Sequence, residues 1–503
     1  MSLLAEKTWR LRKNIEQDQI LLALSSKFNT EAVNGVESEY QFYDDFDADL
    51  WQSDYLFCGL NKGTFQLFQK NKQISEVRML KQPRFYWDFP DGLVRDRLKK
   101  QLKYRALLPV TTLSICTTNF LLRNNDQKIV VKGRLTRLSP DEQYFSLQVL
   151  RGYEKSCRSA ESILDSSFKE PIDDFNLRYL LLKNGAQDLQ PRKSIKVSIT
   201  PDMPVENSVR RMAVAMLEQA QLNVEGTVAD IDTEFLHQYR VNLRKVRSLL
   251  GLLKKVIPLV MLEEVKPKLS FIAGKTNKLR DLDVFLLDHD HYRAMLPLEF
   301  SSGLNELYAV IEKQRKREKH SVAKYLLSED YTANMAYCLS ELAKDSTFEH
   351  PISRKPVLAV VNKLLLKRYQ KMNLIVAAFH IETPDEDIHD LRIEFKKLRY
   401  LIEFFIDVLP KKRTHQLLSH IKKTQTVLGD FNDLCVQIEF LTAYRDDSKI
   451  EMTKALSAFI AILYLQQKQL RCMAEKTLLS FFTDDMATEF NLLYGALDKG
   501  VLK

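Results

Sequence analysis

The chain is short of the residues that interrupt regular structure. Of 503 residues, 14 are glycine and 15 proline. That scarcity excludes collagen-like, linker-rich and low-complexity chains. Six cysteines, Cys58, Cys116, Cys157, Cys338, Cys435 and Cys472, are scattered without a CxxC pair or a close histidine. Their spacing argues against a structural zinc site and a disulfide framework, and fits buried thiols in a reducing cytoplasm. Long apolar runs are missing too. The longest is residues 458–465, against about 18 or more needed to span a bilayer, so no membrane passage is expected. The opening MSLLAEKTWRLRK puts Glu6 and Lys7 where a signal peptide would be apolar, which argues against export.

What is present is a globular composition, 45% hydrophobic and 28% charged, which excludes wholesale disorder. A chain of this length predicts roughly two to four domains. Net charge is +9. Residues 1–200 hold 31 Lys and Arg against 25 Asp and Glu, and the remainder 44 against 41. A bias this mild decides nothing about partners; the placement of the basic residues must.

Texture changes along the chain. Within residues 1–200, short alternating or aromatic runs read as strands: 39–43 (EYQFY), 64–69 (TFQLFQ), 128–138 (KIVVKGRLTRL) and 144–150 (YFSLQVL). Residues 14–28 and 91–103 read as helices, giving an α+β pattern. Residues 184–208 hold three prolines, a glycine and many polar side chains, so the boundary falls there. Beyond it the spacing is helical throughout, with Pro258, Pro267, Pro297, Pro351, Pro356, Pro384 and Pro410 each able to sit at a helix end. The expected division is an α+β domain over 1–183, a linker over 184–203 and an all-α domain over 204–503.

The helical part contains a repeat. Residues 236–258 (LHQYRVNLRKVRSLLGLLKKVIP) align without a gap on residues 388–410 (IHDLRIEFKKLRYLIEFFIDVLP), at an offset of 152. His237 meets His389, Arg240 meets Arg392, Lys245 meets Lys397 and Arg247 meets Arg399; Arg244 becomes Lys396. The same offset carries Asp281 onto Asp433. Two copies of one helical unit imply pseudo-twofold organisation.

On a helical wheel at about 100° per residue, His237, Arg240, Arg244 and Arg247 share an arc of about 80°. Leu243, Val246, Leu250, Leu253 and Ile257 lie opposite. In the second copy His389, Arg392, Lys396 and Arg399 share the basic arc, with Leu391, Phe395, Leu398, Ile402 and Leu409 as the buried face. Each copy presents a ladder of positive charge roughly 15 Å long. Arginine forks and lysine point charges suit a linear polyanion of regularly spaced phosphates. Asp281, Asp283 and Asp433 are placed to tether some of these arginines. Arg210, Arg211, Lys254, Lys255, Lys363, Lys367 and Arg368 could extend the surface, whereas residues 313–319 (KQRKREK) read as a solvent-facing charged stretch. The arcs hold no aromatic side chain, and Tyr239 and Tyr400 fall outside them, so nucleic acid is the less favoured ligand. His289, His291, His320, His380, His415 and His420 have no metal-ligand spacing.

The H-x-x-R-x-x-x-[RK]-x-x-R helices, with LRDLDV after the first and LGDFNDL after the second, resemble the CHAD (conserved histidine α-helical domain) family over about residues 204–492. The resemblance implies two pseudo-symmetric helical bundles that bind inorganic polyphosphate through basic helix faces, and association with polyphosphate granules. The ligand residues it implies are His237, Arg240, Arg244, Arg247, His389, Arg392, Lys396 and Arg399, with no metal and no cofactor. The N-terminal part is similar to a degenerate CYTH domain, the fold of the triphosphate tunnel metalloenzymes, which implies an antiparallel, barrel-like sheet. Residues 39–51 (EYQFYDDFDADLW) resemble that family's Y-Y-D-T-x-D-x-x-L segment. Its opening E-x-E-x-K survives only as Glu6-Lys7-Thr8-Trp9-Arg10, and Phe57-Cys58-Gly59-Leu60 stands where L-R-x-R is expected. Phe145, Ser146, Leu147, Gln148 and Val149 supply none of the late E-x-E carboxylates. Without those carboxylates and arginines the expected domain is catalytically silent. The rival is a metal-dependent inorganic triphosphatase or polyphosphatase using Glu6, Glu37 and Glu39.

Overall fold

A computed structural model describes residues 7–13, 15–60, 63–70, 72–164, 168–172, 175–184, 197–344, 350–377, 384–446 and 450–495. The chain divides into two compact units, residues 1–194 and 195–503.

In the first unit the strands are β1 (Lys7–Leu11), β2 (Asn29–Asp44), β3 (Tyr55–Leu60), β4 (Thr64–Gln69), β5 (Lys72–Arg78), β6 (Leu108–Arg123), β7 (Ile129–Ser139), β8 (Glu142–Val149) and β9 (Lys169–Pro171). Helices α1 (Gln17–Ser25), α2 (Asp49–Gln52), α3 (Leu93–Leu102), α4 (Glu154–Ile163) and α5 (Leu177–Lys183) accompany them. The nine strands form one sheet in the order β5-β4-β3-β2-β6-β7-β8-β1-β9, every neighbouring pair antiparallel. The expected antiparallel sheet is present.

Period-two alternation sorts the side chains into layers. Leu56 and Cys58 of β3 pack with Phe42, Leu113, Ile115 and Tyr144 beneath Leu177, Leu180 and Leu181 of α5. Tyr55 and Phe57, on the other parity, join Phe65, Leu67 and the buried stripe Val94, Leu98 and Leu102 of α3. Phe120, Phe145 and Leu147 meet α1 and α4 in a third cluster. Gly133 makes room there: a Cβ would lie 2.9 Å from the Phe145 ring.

The second unit is helical: α6 (Val205–Gln221), α7 (Val224–Val228), α8 (Thr233–Leu252), α9 (Leu259–Gly274), α10 (Asn277–Leu287), α11 (His289–Met295), α12 (Ser301–Leu326), α13 (Glu329–Ala343), α14 (Val357–Ala377), α15 (Asp385–Phe404), α16 (Lys411–Asp446), α17 (Ile450–Phe481) and α18 (Asp484–Tyr494). The 152-residue offset carries the first residue of α6 onto that of α14 and both ends of α8 onto those of α15. One long helix, α16, replaces the pair α9 and α10. The two copies share one large core, with Val246, Leu250, Phe395 and Leu398 all fully buried in it, and a second cluster joins Leu282, Phe285 and Leu307 to Ile438, Leu441 and Phe459.

Equivalent residues of the two copies meet each other. Val205 N–H donates to Lys355 O at 3.0 Å, and Val357 N–H donates to Met203 O at 2.9 Å, a reciprocal pair around the Pro204–Pro356 bridge. Elsewhere a Cβ on Gly303 of α12 would come within 2.7 Å of Ala455 Cβ on α17, its own counterpart. Self-facing equivalents mark an isologous pseudo-twofold axis.

Two prolines depart from expectation, and one of them, Pro351, lies in a turn between α13 and α14. Pro267 lies inside α9, not at a helix end. Its position is the ninth of a sixteen-residue helix, past the first turn where a missing N–H costs nothing, so burial of Leu262, Val265, Leu269 and Ile272 outweighs the lost hydrogen bond.

Candidate functional site

The basic arcs of α8 and α15 stand on two helices that pack together. Their apolar faces fix the rotation: Leu243, Val246, Leu250, Leu391, Phe395, Leu398 and Ile402 are fully buried. The opposite arcs stay partly or fully open to water.

Arg244 and Lys396, a counterpart pair, approach closely enough to repel. Burial lowers the Lys396 ammonium pKa to about 8, and the positive charges of Arg392, Arg244 and Arg399 add to that, against a smaller opposing pull from Asp433. Lys245 is lowered by burial, with Arg399 and Arg244 adding to it and Glu403 of α15 opposing. Arg240 is lowered by burial, which Asp281 opposes and Arg244, Arg280 and Arg247 reinforce. The six ladder cations thus form one continuous positive field across the pseudo-axis. Among the described residues, Arg244, Arg247 and Lys396 make no hydrogen bond or ion pair.

The two halves differ in how their first arginine is held. Arg240 Nη1 donates to Ala273 O (3.1 Å), Thr276 Oγ1 (2.8 Å) and Asn277 Oδ1 (2.7 Å), which closes the break between α9 and α10. No such break exists in α16, where Gln425, Leu428 and Gly429 occupy the equivalent positions. Arg392 instead lies 3.5 Å from Asp433. His389 Nδ1 sits 2.7 Å from Asn432 Oδ1, and His237 also has a partner. Arg399 lies over the Tyr400 ring at 5.2 Å, with Nε 3.8 Å from Glu403.

The auxiliary residues separate into two groups. Arg211, Lys254, Lys255, Lys363 and Lys367 are exposed. Arg210 is not an open contact: it is buried, donating to Glu206 Oε1 at 2.9 Å and to Glu341 O at 2.9 Å. Glu206 one turn before it on the buried side of α6 supplies the reason. Residues 313–319 are not wholly solvent-facing either. Arg315 bridges Asp230 and Asp283 at 2.6 to 3.0 Å, and Lys319 reaches Asp230 at 3.2 Å. Asp283 therefore tethers α12, while Asp433 and Asp281 stand beside Arg392 and Arg240.

Sequence reasoning named Lys245 only as the counterpart of Lys397 and missed Arg280, both of which join the field from outside the wheel arc, and it missed the buried carboxylate of Glu394. Glu394 accepts from Arg368 (2.8 Å), Lys371 (2.9 Å) and Lys397 (2.9 Å). Its counterpart is Asn242, so the 152-residue comparison itself carried the signal.

In the first unit, Glu6 lies outside the described residues, and Glu37 and Glu39 are exposed on β2. Asp44 and Asp45 are buried, their carboxylates accepting the backbone N–H groups of Asp45, Asp47, Asp49, Leu50 and Trp51 around α2. Glu142 accepts from Arg10 and from the Tyr144 hydroxyl. Among the described residues, no group of three His, Cys, Asp or Glu side chains could hold a metal ion. Nor is any described helix long and apolar enough to cross a membrane.

The helical unit is thus duplicated, and it pairs one cationic helix from each copy across its pseudo-axis. The CHAD domain model matches residues 211–442, which lie within the helical unit. Among solved structures the chain is similar to the CHAD domain from the plant Ricinus communis, with 24% identity and a TM-score of 0.47, covering 56% of this chain and 94% of that one. It is also similar to PptA from Streptomyces chartreusis (13%, TM-score 0.41, covering 55% and 99%) and to the PH1819 protein from Pyrococcus horikoshii OT3 (14%, TM-score 0.22, covering 37% and 99%). No curated protein matches the chain.

Proposed function

We propose that the helical unit binds inorganic polyphosphate across its pseudo-twofold axis. His237, Arg240, Arg244 and Arg247 would hold one stretch of the chain, and His389, Arg392, Lys396 and Arg399 the next. The observation that carries this reading is the juxtaposition of Arg244 and Lys396, neither of them in an ion pair among the described residues, flanked by Arg392 and Arg399. Repulsion among these cations is relieved by a polyanion, so binding converts a standing electrostatic cost into attraction. Arg211, Lys255, Lys363 and Lys367 are exposed and free to lengthen the track. The first unit acts in this reading as a CYTH-like, non-catalytic companion. In support, Phe42, Cys58, Leu113, Ile115 and Tyr144 form an apolar layer under α5, where clustered carboxylates and arginines would be needed for triphosphate chemistry. The reading places the protein in the cytoplasm, at polyphosphate granules.

Calorimetric titration of the full chain with long-chain polyphosphate tests it. Binding should weaken by at least about tenfold from low to physiological salt. No binding at low salt would sink the assignment. Metal-dependent phosphate release from triphosphate would overturn the non-catalytic role of the first unit.

A further inference from the structure

The positive charge of the N-terminal part is concentrated in one place. Residues 78–105 hold nine Lys and Arg against three Asp and Glu, whereas the rest of residues 1–200 holds 22 of each. The whole excess of that part therefore falls on one short segment, made of the end of β5, a 3-10 turn at Tyr86–Asp88 and α3.

This segment turns its cations outward. Val94, Leu98 and Leu102 bury one stripe of α3, which leaves Arg97, Lys99, Lys100 and Lys103 exposed, alongside Lys81 and Arg84. Two of the three acids are already engaged. Asp88 accepts the N–H groups of Arg84 and Phe85 at 2.8 and 2.9 Å, and Asp91 pairs with Arg95.

Aromatic rings stand beside the charge. Trp87 stacks on Phe85 with centroids 4.5 Å apart and planes 8° apart, and meets Tyr86 edge-on at 5.0 Å. Trp87 nonetheless remains 43% exposed. Lys99 Nζ lies 5.9 Å from the Tyr86 ring centroid, which ties the basic helix to the aromatic group.

We propose that residues 78–105 form a second anion-binding surface, separate from the helical unit's ladders, that takes single-stranded nucleic acid. Cations on α3 and the preceding loop would follow the phosphates, and the exposed indole would stack on a base. Each alternative leaves an observation unused. Polyphosphate has no flat face for the ring. An anionic membrane would require Trp87 to enter an apolar layer beside Asp88 and Asp91, the latter with its side chain 95% exposed.

The test is fluorescence anisotropy of a labelled oligothymidylate with the full chain, beside W87L and the triple variant K99Q/K100Q/K103Q. The wild-type chain should bind in a salt-sensitive way. W87L should weaken binding by about tenfold, the scale of one lost stacked base. The triple variant should weaken it and flatten its salt dependence, and both should keep wild-type polyphosphate binding and wild-type circular dichroism. Unchanged oligonucleotide affinity in both variants would overturn the proposal. So would a wild-type chain that ignores the oligonucleotide yet co-sediments with phosphatidylglycerol vesicles. If W87L misfolds, the triple variant alone decides, since its side chains are exposed.

Discussion

Arg240 and Arg392 occupy equivalent positions but are held differently. Arg240 satisfies three acceptors at a helix break, so Arg240→Ala should cost about 1–3 kcal/mol of stability as well as polyphosphate affinity. Arg392 has one 3.5 Å ion pair with an exposed acid, so Arg392→Ala should change stability by less than about 1 kcal/mol while affinity falls. Urea unfolding beside calorimetry separates the two effects; equal stability losses would contradict this account. Lys396 gives the site a pH response. Its pKa falls from 10.5 to about 8 through burial, with Arg392 and Arg244 adding to it. Between pH 8 and 10.5 the folded apo chain holds fewer protons at this group than the unfolded chain, so this contribution to stability rises with pH there. A bound polyanion favours the protonated amine, so affinity should fall as pH rises through about 8, with proton uptake on binding. Lys396→Met should remove that step; a wild-type affinity flat from pH 7 to 9 would show that the amine does not meet the ligand.

Among the elements, α12 and α17 approach so closely that Gly303 has no room for a side chain. An added Cβ would lie 2.5 Å from Glu451 O and 2.7 Å from Ala455 Cβ. Gly303→Ala should therefore force the helices apart and cost about 1–3 kcal/mol, read as a lower urea midpoint. An unchanged midpoint would mean that the contact yields without cost. The pairing of α8 with α15 rests on the same symmetry, because the reciprocal Val205–Lys355 and Val357–Met203 hydrogen bonds hold the starts of α6 and α14 together. The fusion of α9 and α10 into a single α16 in the second copy is where the symmetry breaks. That break is what gives Arg240 its cap and denies one to Arg392.

At the scale of the molecule the chain is two compact units with separate cores. A ligand that binds one unit stabilises that unit by mass action, by about 2.7 kcal/mol at a hundredfold excess over Kd. Polyphosphate should therefore raise hydrogen-exchange protection in α8, α15 and their neighbours and leave the nine-stranded sheet unchanged. Protection spreading equally over both units would contradict a site confined to the helical one.

The sequence by itself determined the α+β and all-α division, the repeat and the basic arcs. Helical periodicity and a gapless offset are local properties, and burial of Leu243, Val246, Phe395 and Leu398 follows from them directly. The strands of residues 39–43, 64–69 and 144–150 were legible for the same reason. Only the tertiary structure decided that Arg244 faces Lys396, that Arg240 closes a helix break, and that Arg210 and Arg315 serve buried carboxylates. A wheel gives the direction of a side chain about its own helix. Which acid or cation waits opposite depends on helices distant in sequence, and that is set by how their apolar faces pack.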